Sequence, residues 1–502
     1  VHGHHYALLA LDGLAPGTSL PYTLSLGGDP VWPEPGSPHP APVVRTLDHD
    51  RPVHLAFGSC RVSVPHDAEH HAAYGVDALR SWALDASATP EDRRRLPDLL
   101  LFLGDQVYAD ETSEEIRSFI AARRDPEQPP WWELQDYQEY AELYRIAWSE
   151  PANRWLLSTV QSAMIFDDHD VRDDWNTSAR WRADMARKEW WHDRIVGALA
   201  SYWVYQHLGN LSPAELVEDE LYAAVRSAAS DTERERVLAS FSLRIDAEPS
   251  TGRWSFYRDF GDTRLIMIDS RCARNLDPNN RAMVDARQWA WVRERALEAS
   301  PKHLLFGSSL PYLMLPALHH LEQWNEAVAQ GSWGRAAARV GEKLRIDLDL
   351  EHWAAFGNSF ADMATLTREL ARGEDAPASI LWLSGDVHCS YVARAEFGVG
   401  GDVPATYQLT MSPFRNPLEL PIRAVNRLAI KRPMARAMAA LARSANVAPT
   451  ETSWKTEAGP WFDNGVMLLT TDGDSAALRV EHAFVNAAGV QTLTTTCEIR
   501  LT

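Results

Sequence analysis

This chain predicts an α/β fold on three observations: short apolar runs that end abruptly in polar clusters, helical stretches between them, and a length that exceeds one simple core. The runs are VHLAFGSCR (53–61), DLLLFLGDQVY (98–108), SAMIFDDHD (162–170), TRLIMIDSR (263–271), KHLLFGSS (302–309) and SILWLSGDVH (379–388). Continuous apolar runs of this kind suit strands buried on both faces. Residues 112–123 and 180–208 read as helices, and the alternation sets helices on the faces of a sheet. In such folds ligands gather beyond the carboxyl ends of the strands, where the polar clusters fall.

The flanks read differently. Residues 6–26 (YALLALDGLAPGTSLPYTLSL) alternate around a Gly/Pro turn and predict a hairpin of a small β-sandwich. Residues 30–42 are Pro-rich and read as an extended linker or edge. Residues 464–502 read as strands again. The predicted division is an N-terminal β-sandwich-like segment (1–47), a main α/β domain (48–415), a basic helical insert or lid (416–455) and closing strands (456–502).

Composition narrows the function. At 502 residues the chain suits two to three domains. A hydrophobic share of 45% with 20 Trp fits a packed globular protein. A net charge of −20 argues against a nucleic-acid-binding surface, which needs a basic footprint. The acidity reads either as a solvated surface or as carboxylates matched by bound cations. Cys60, Cys272, Cys389 and Cys497 lack CxxC spacing, which argues against a disulfide scaffold or zinc ribbon. No apolar run reaches the roughly 18 residues of a membrane span. The chain begins at Val1, so an exported and a cytoplasmic location both stay open.

The strand ends carry the chemistry. They deliver Ser59-Cys60-Arg61, Gly104-Asp105 with Tyr108, Asp167-Asp168-His169-Asp170, and Gly385-Asp386-Val387-His388. Carboxylates, imidazole, thiol and phenol converging on one sheet edge repel or stay protonated unless positive charge sits among them. Bound metal ions are the economical solution. Gly104 lets the backbone turn sharply, which suits Asp105 to bridge two ions. Each motif alone has a bland reading: Gly-Asp as a turn, Cys60 as a small buried hydrophobe, Tyr108 as a core aromatic, His169 as a satisfied core histidine. The four together at successive strand ends do not.

The order SC…GDxxY…DDH[ED]…GDVH resembles the alkaline phosphatase D (PhoD-like) family of calcineurin-like metallophosphoesterases, over roughly 53–415. The resemblance implies a four-layered α/β/β/α metallophosphatase sandwich preceded by a small all-β domain. It puts Cys60, Asp105, Tyr108, Asp168, Asp386 and His388 on metal-ligand positions, and His169 near the leaving group. It implies hydrolysis of phosphate monoesters or diesters by a metal-activated water. The third motif departs from the pattern: its tail reads VRDDWN, so Asp173, Asp174 or Asn176 completes the site. The ligand types agree with a mixed centre, since a phenolate favours iron(III) and the remaining carboxylates suit calcium. Zinc and manganese remain alternatives. Arg61 reads equally as a bidentate phosphate clamp and as a salt-bridge partner. The runner-up is a non-hydrolytic metal protein, doing iron redox chemistry or serving a binding or structural role.

Residues 423–443 (RAVNRLAIKRPMARAMAALAR) stand apart, with six basic and no acidic residues. They read as a surface helix pair broken at Pro433, or as a lid attracting anionic substrate, a lipid head group or a membrane surface.

Overall fold

A computed structural model describes residues 1–89, 96–397 and 403–502. All six apolar runs form strands, and each polar cluster falls within a residue or two of its strand's end. Val53–Gly58, Leu99–Leu103 and Ser162–Ile165 lie side by side and parallel in a six-stranded sheet. Antiparallel strands Gly465–Asp472, Ser475–Val485 and Gln491–Arg500 extend it beyond Val53–Gly58. Thr263–Ile268, His303–Ser308, Ser379–Ser384 and Ala405–Thr410 run parallel in a second, seven-stranded sheet. The molecule is therefore a mixed α/β protein built on two large sheets.

Period-two alternation divides the strand residues between two environments. Leu55, Phe57, Leu101 and Leu103 of one sheet share a buried cluster with Leu265, Met267, Leu305 and Leu381 of the other. The intervening residues face away. Ala56, Leu100 and Phe102 pack on Leu79 and Trp82 of helix Ala78–Ala88 and Trp155 of helix Pro151–Thr159. Ile266, Phe306, Ile380 and Trp382 pack on Val292 of helix Ala286–Leu297 and on Phe360 and Met363 of helix Gly357–Arg372. Truncating one of these buried leucines to alanine costs about 2–5 kcal/mol.

Three expectations give way. The 6–26 hairpin does not form: residues 6–18 carry no strand, Leu24–Leu26 pairs with Asp29–Trp32, and Ser19–Pro21 pairs with Val43–Arg45. The alternation had no core to face, since Leu8, Leu9 and Leu11 are exposed, and the Tyr6 hydroxyl is instead bonded to Tyr137 and Tyr205. The helical stretch 180–208 is broken into Ala179–Met185 and Trp191–Tyr202, the latter running into a π-helical turn at Trp203–His207. The basic pair breaks before Pro433, at residues 430–431 between Leu420–Ala429 and Arg432–Ser444. Pro433 belongs to the first turn of the second helix, where its missing N–H has no partner to lose.

Candidate metal centre

The carboxyl ends of the two sheets meet, and Ser59 ties them. Its hydroxyl accepts from the Asp386 N–H at 3.1 Å, and its carbonyl accepts from the Phe414 N–H at 2.7 Å. The approach is too close for a side chain on Gly385, whose Cβ would stand 2.2 Å from Ser59 Oγ. Gly104 has φ of 104°, and a Cβ there would meet that of Asp167 at 2.6 Å.

These turns bring the ligand types together in two groups that share Asp105. Cys60, Asp105 and His388 offer a thiol, a carboxylate oxygen and a ring nitrogen within 4.8 Å of one another. Asp105, Asp167, Asp168 and Asp386 offer four carboxylate oxygens within the same span. Cys60 Sγ lies 3.4 Å from Asp105 Oδ2, and Tyr108 packs in the same small cluster as Cys60. Cys60, Asp105, Asp386 and His388 all hold left-handed backbone, with φ of 55°, 52°, 64° and 46°. A non-glycine residue there is strained, and such strain gathers at functional sites.

Charge makes the case for a cation. Burial, aided by its aspartate neighbours, raises Asp105 well above the usual carboxylate range despite His169. Burial likewise raises Asp167 and Asp168 against the pull of Arg271. Burial pushes up the Cys60 thiol and the Tyr108 phenol, and Asp105 adds to both. Asp105 Oδ1, Asp167 Oδ2 and the Tyr108 hydroxyl are buried without a hydrogen bond. Unpaired buried acceptors cost several kcal/mol together, at about 1–3 kcal/mol each. A cation among them satisfies the acceptors and favours their ionised forms. The residues present therefore fit metal ions: a mixed N/S/O set beside an all-oxygen set.

The family model for PhoD-like phosphatase matches residues 86–414. This chain belongs to the PhoD-like phosphatase family. Residues 1–44 match a domain of unknown function (DUF7800). A solved PhoD structure is similar in fold over 98% of this chain and 78% of its own, at 12% identity and a TM-score of 0.55. No curated protein matches.

Other residues of this PhoD-like centre take their places around the two groups. The His169 ring lies 4.7 Å from that of Tyr108, and its Nδ1 is 2.9 Å from Asp110 Oδ1. Burial disfavours the imidazolium, but Asp110 together with Asp168 and Asp105 outweighs it and raises His169 well above its ordinary value. Asp170 does not face the groups. Its Oδ2 accepts from the N–H of Asp105 at 3.0 Å and of Asp167 at 2.9 Å, fixing both turns. Asp173 gathers with Asp168 and His169, and also with Asp174 and Asp349. Asn176 donates to the Arg271 carbonyl at 3.3 Å and leaves its own Oδ1 buried and unbonded.

Arg61 stands beside the site, its backbone N–H bonded to the Asp105 carbonyl at 3.0 Å, but its guanidinium is engaged elsewhere. Its guanidinium donates to Asp77 Oδ2 at 3.0 and 2.7 Å, to Ser63 and to the Ala147 carbonyl, in a buried cluster. The structure gives it the salt-bridge role and leaves no donor pair for a phosphate.

The basic group at the centre is Arg271, which the sequence reading passed over. It is wholly buried, bonded to Asp167 and Glu351, with Nη2 3.0 Å from Asp168 Oδ1 and 3.9 Å from Asp386 Oδ1. His352, equally missed, bridges Glu322 at 2.7 Å and Asp386 at 3.1 Å. Burial raises Asp386, but His352 and Arg271 outweigh it and hold the carboxyl low. Arg271 had a signal, since it closes a strand-end run like the others. Asp349, Glu351 and His352 follow a helix rather than a strand, and only the polar run DLEH marked them.

Proposed function

We propose that the chain hydrolyses phosphate esters, diesters as well as monoesters, at this centre. The observation that carries the reading is the pair of ligand groups sharing Asp105 at the strand ends of a PhoD-like phosphatase. In this reading Cys60, Asp105, Tyr108 and His388 hold iron(III), because thiolate and phenolate suit that ion. Asp105, Asp168 and Asp386, joined by Asp167, hold calcium through oxygen alone. Such ions, when bound, neutralise phosphate charge and acidify a water for in-line attack.

The chain's own residues do the rest. Asp105 spans both groups and fixes their separation. Asp170 holds the Asp105 and Asp167 turns through their N–H groups. His169, kept protonated by Asp110, donates its proton to the leaving oxygen. His352 and Arg271 keep Asp386 ionised.

The wider reading includes the four-layered α/β/β/α sandwich, a small N-terminal all-β domain over 1–47 and closing strands over 456–502. The three packed apolar layers support the sandwich. The short paired strands within 19–45 support the N-terminal unit. The substrate is a small phosphate ester or a lipid head group. Among the described residues no helix is long and apolar enough to cross a membrane.

Elemental analysis of protein purified without chelator, paired with p-nitrophenyl phosphate and bis-p-nitrophenyl phosphate assays, tests the reading. Iron and calcium with turnover of both esters support it. A metal-loaded protein inert towards both overturns it.

A further inference from the structure

We infer that the helix pair Leu420–Ala429 and Arg432–Ser444 is a docking surface for an anionic lipid bilayer, set beside the metal centre. The inference rests on the phosphoesterase reading only for its purpose, not for its evidence.

The pair presents apolar side chains to solvent where a helix packed into a fold would hide them. Leu420 is 76% exposed, Val425 52% and Leu428 53%. Ala429 and Ala442 face inward, so the exposed apolar residues are not the face that anchors the helices. Beside this strip stand Lys431, Arg432, Arg436 and Arg443, exposed and without an ion pair among the described residues, while Arg423 and Arg427 lie over the buried Phe462 ring. Elsewhere in this acidic chain arginines are commonly paired with carboxylates, as in Arg61–Asp77 and Arg264–Asp259. Arg432, Arg436 and Arg443 fall at i, i+4 and i+11, on one face of their helix. Exposed apolar side chains bordered by unpaired cations are the pattern of a helix lying in a bilayer interface. A negative surface complements both features, since the cations meet head groups and the apolar residues enter below them.

The surface is positioned to matter. Ala429, Ile430 and Met438 pack in the same apolar cluster as Val387 and Cys389, the residues on either side of His388. Asn416, four residues before the first helix, neighbours the Tyr108 phenol. A bilayer under the helices therefore brings phosphate esters carried in the membrane to the centre's side of the molecule. The substrate class this favours is a phosphodiester head group.

The test is sedimentation of the full metal-loaded chain with vesicles of phosphatidylcholine, alone or mixed with phosphatidylglycerol. The mixed vesicles bind it, and rising salt weakens the binding through screening. Arg432→Glu with Arg436→Glu lowers that affinity by about a hundredfold or more. Leu420→Ser with Leu428→Ser lowers it too, and neither double variant changes turnover of p-nitrophenyl phosphate. No binding, equal binding to neutral vesicles, or wild-type binding by both variants overturns the inference. The binding readout needs no turnover, so an inert enzyme that still binds would sink the hydrolase reading alone.

Discussion

The two ligand groups that share Asp105 differ in how the chain treats their charge. The all-oxygen group comes with cations of its own: Arg271 reaches Asp167, Asp168 and Glu351, and His352 bonds Asp386. The Cys60–Asp105–His388 group has no arginine bonded to it among the described residues; its cation is His169, whose charge pulls against the burial of Asp105, and the buried Cys60 thiol and Tyr108 phenol stand beside it. One half is neutralised in part before any ion arrives. The other has only His169 to set against its burial. The difference teaches that a cluster of carboxylates alone does not measure the need for metal. Unpaired acceptors remain in both groups, at Asp105 Oδ1 and at Asp167 Oδ2.

The largest effect expected is where the two groups meet. Asp105→Ala removes the residue common to both groups, and kcat/KM falls by about a thousandfold or more, roughly 4 kcal/mol of barrier. Circular dichroism of the variant stays native. Near-normal turnover with metal still bound would dissolve the contrast.

In the self-neutralised half the effect is on stability. Arg271→Met leaves Asp167 and Asp168 buried without their cation, while Glu351 keeps Arg274 at 2.9 Å, and costs the chelated protein about 3–5 kcal/mol. Added calcium restores much of the loss in thermal melts. A variant as stable as wild type in chelator, or one that calcium does not help, counts against an Arg271 that stands in for charge.

Arg61 supplies a control, because its pair with Asp77 is closed. Arg61→Met costs about 3–5 kcal/mol, while KM for phosphate esters in the folded fraction stays unchanged. A raised KM would return Arg61 to the phosphate. Burial pushes the Asp77 carboxyl up, but Arg61 outweighs it and holds the group below its ordinary value. A depressed carboxyl contributes stability that is present above its unfolded pKa of about 3.9 and lost as pH falls through the lower folded value. Acid unfolding of Asp77→Asn is accordingly shallower in that window.

The smallest change is spectroscopic. Tyr108→Phe keeps the ring and deletes the ligand atom, so the visible band expected of iron(III)–phenolate shifts or bleaches while the melting temperature stays close to wild type. A colourless, active, iron-free wild-type protein would end the iron assignment.

The strands and the main ligand motifs were legible because both signals are local. An apolar run that stops at a polar cluster says where a strand ends and what it delivers, as at Phe57-Gly58-Ser59-Cys60. What escaped was relational. Arg271 and His352 act through carboxylates up to 104 residues away in the chain, and nothing in their neighbourhood names those partners. Arg61 had two readings because bidentate chemistry suits Asp77 as well as it suits phosphate. Residues 6–26 alternated correctly for a strand, but alternation needs a surface to pack against.

Left-handed backbone at Cys60, Asp105, Asp386 and His388 bears on how the protein is made. None of the four is set in that conformation by its own neighbours, since each pays of order 1–3 kcal/mol to adopt it. A ribosome delivers Cys60 and Asp105 long before Asp386 and His388. Even then the Val53–Gly58 strand, which aims Cys60, lacks its antiparallel neighbour until Gly465–Asp472 has emerged. The centre therefore closes only after Gly465–Asp472 has emerged, more than 400 residues after the strand that aims Cys60.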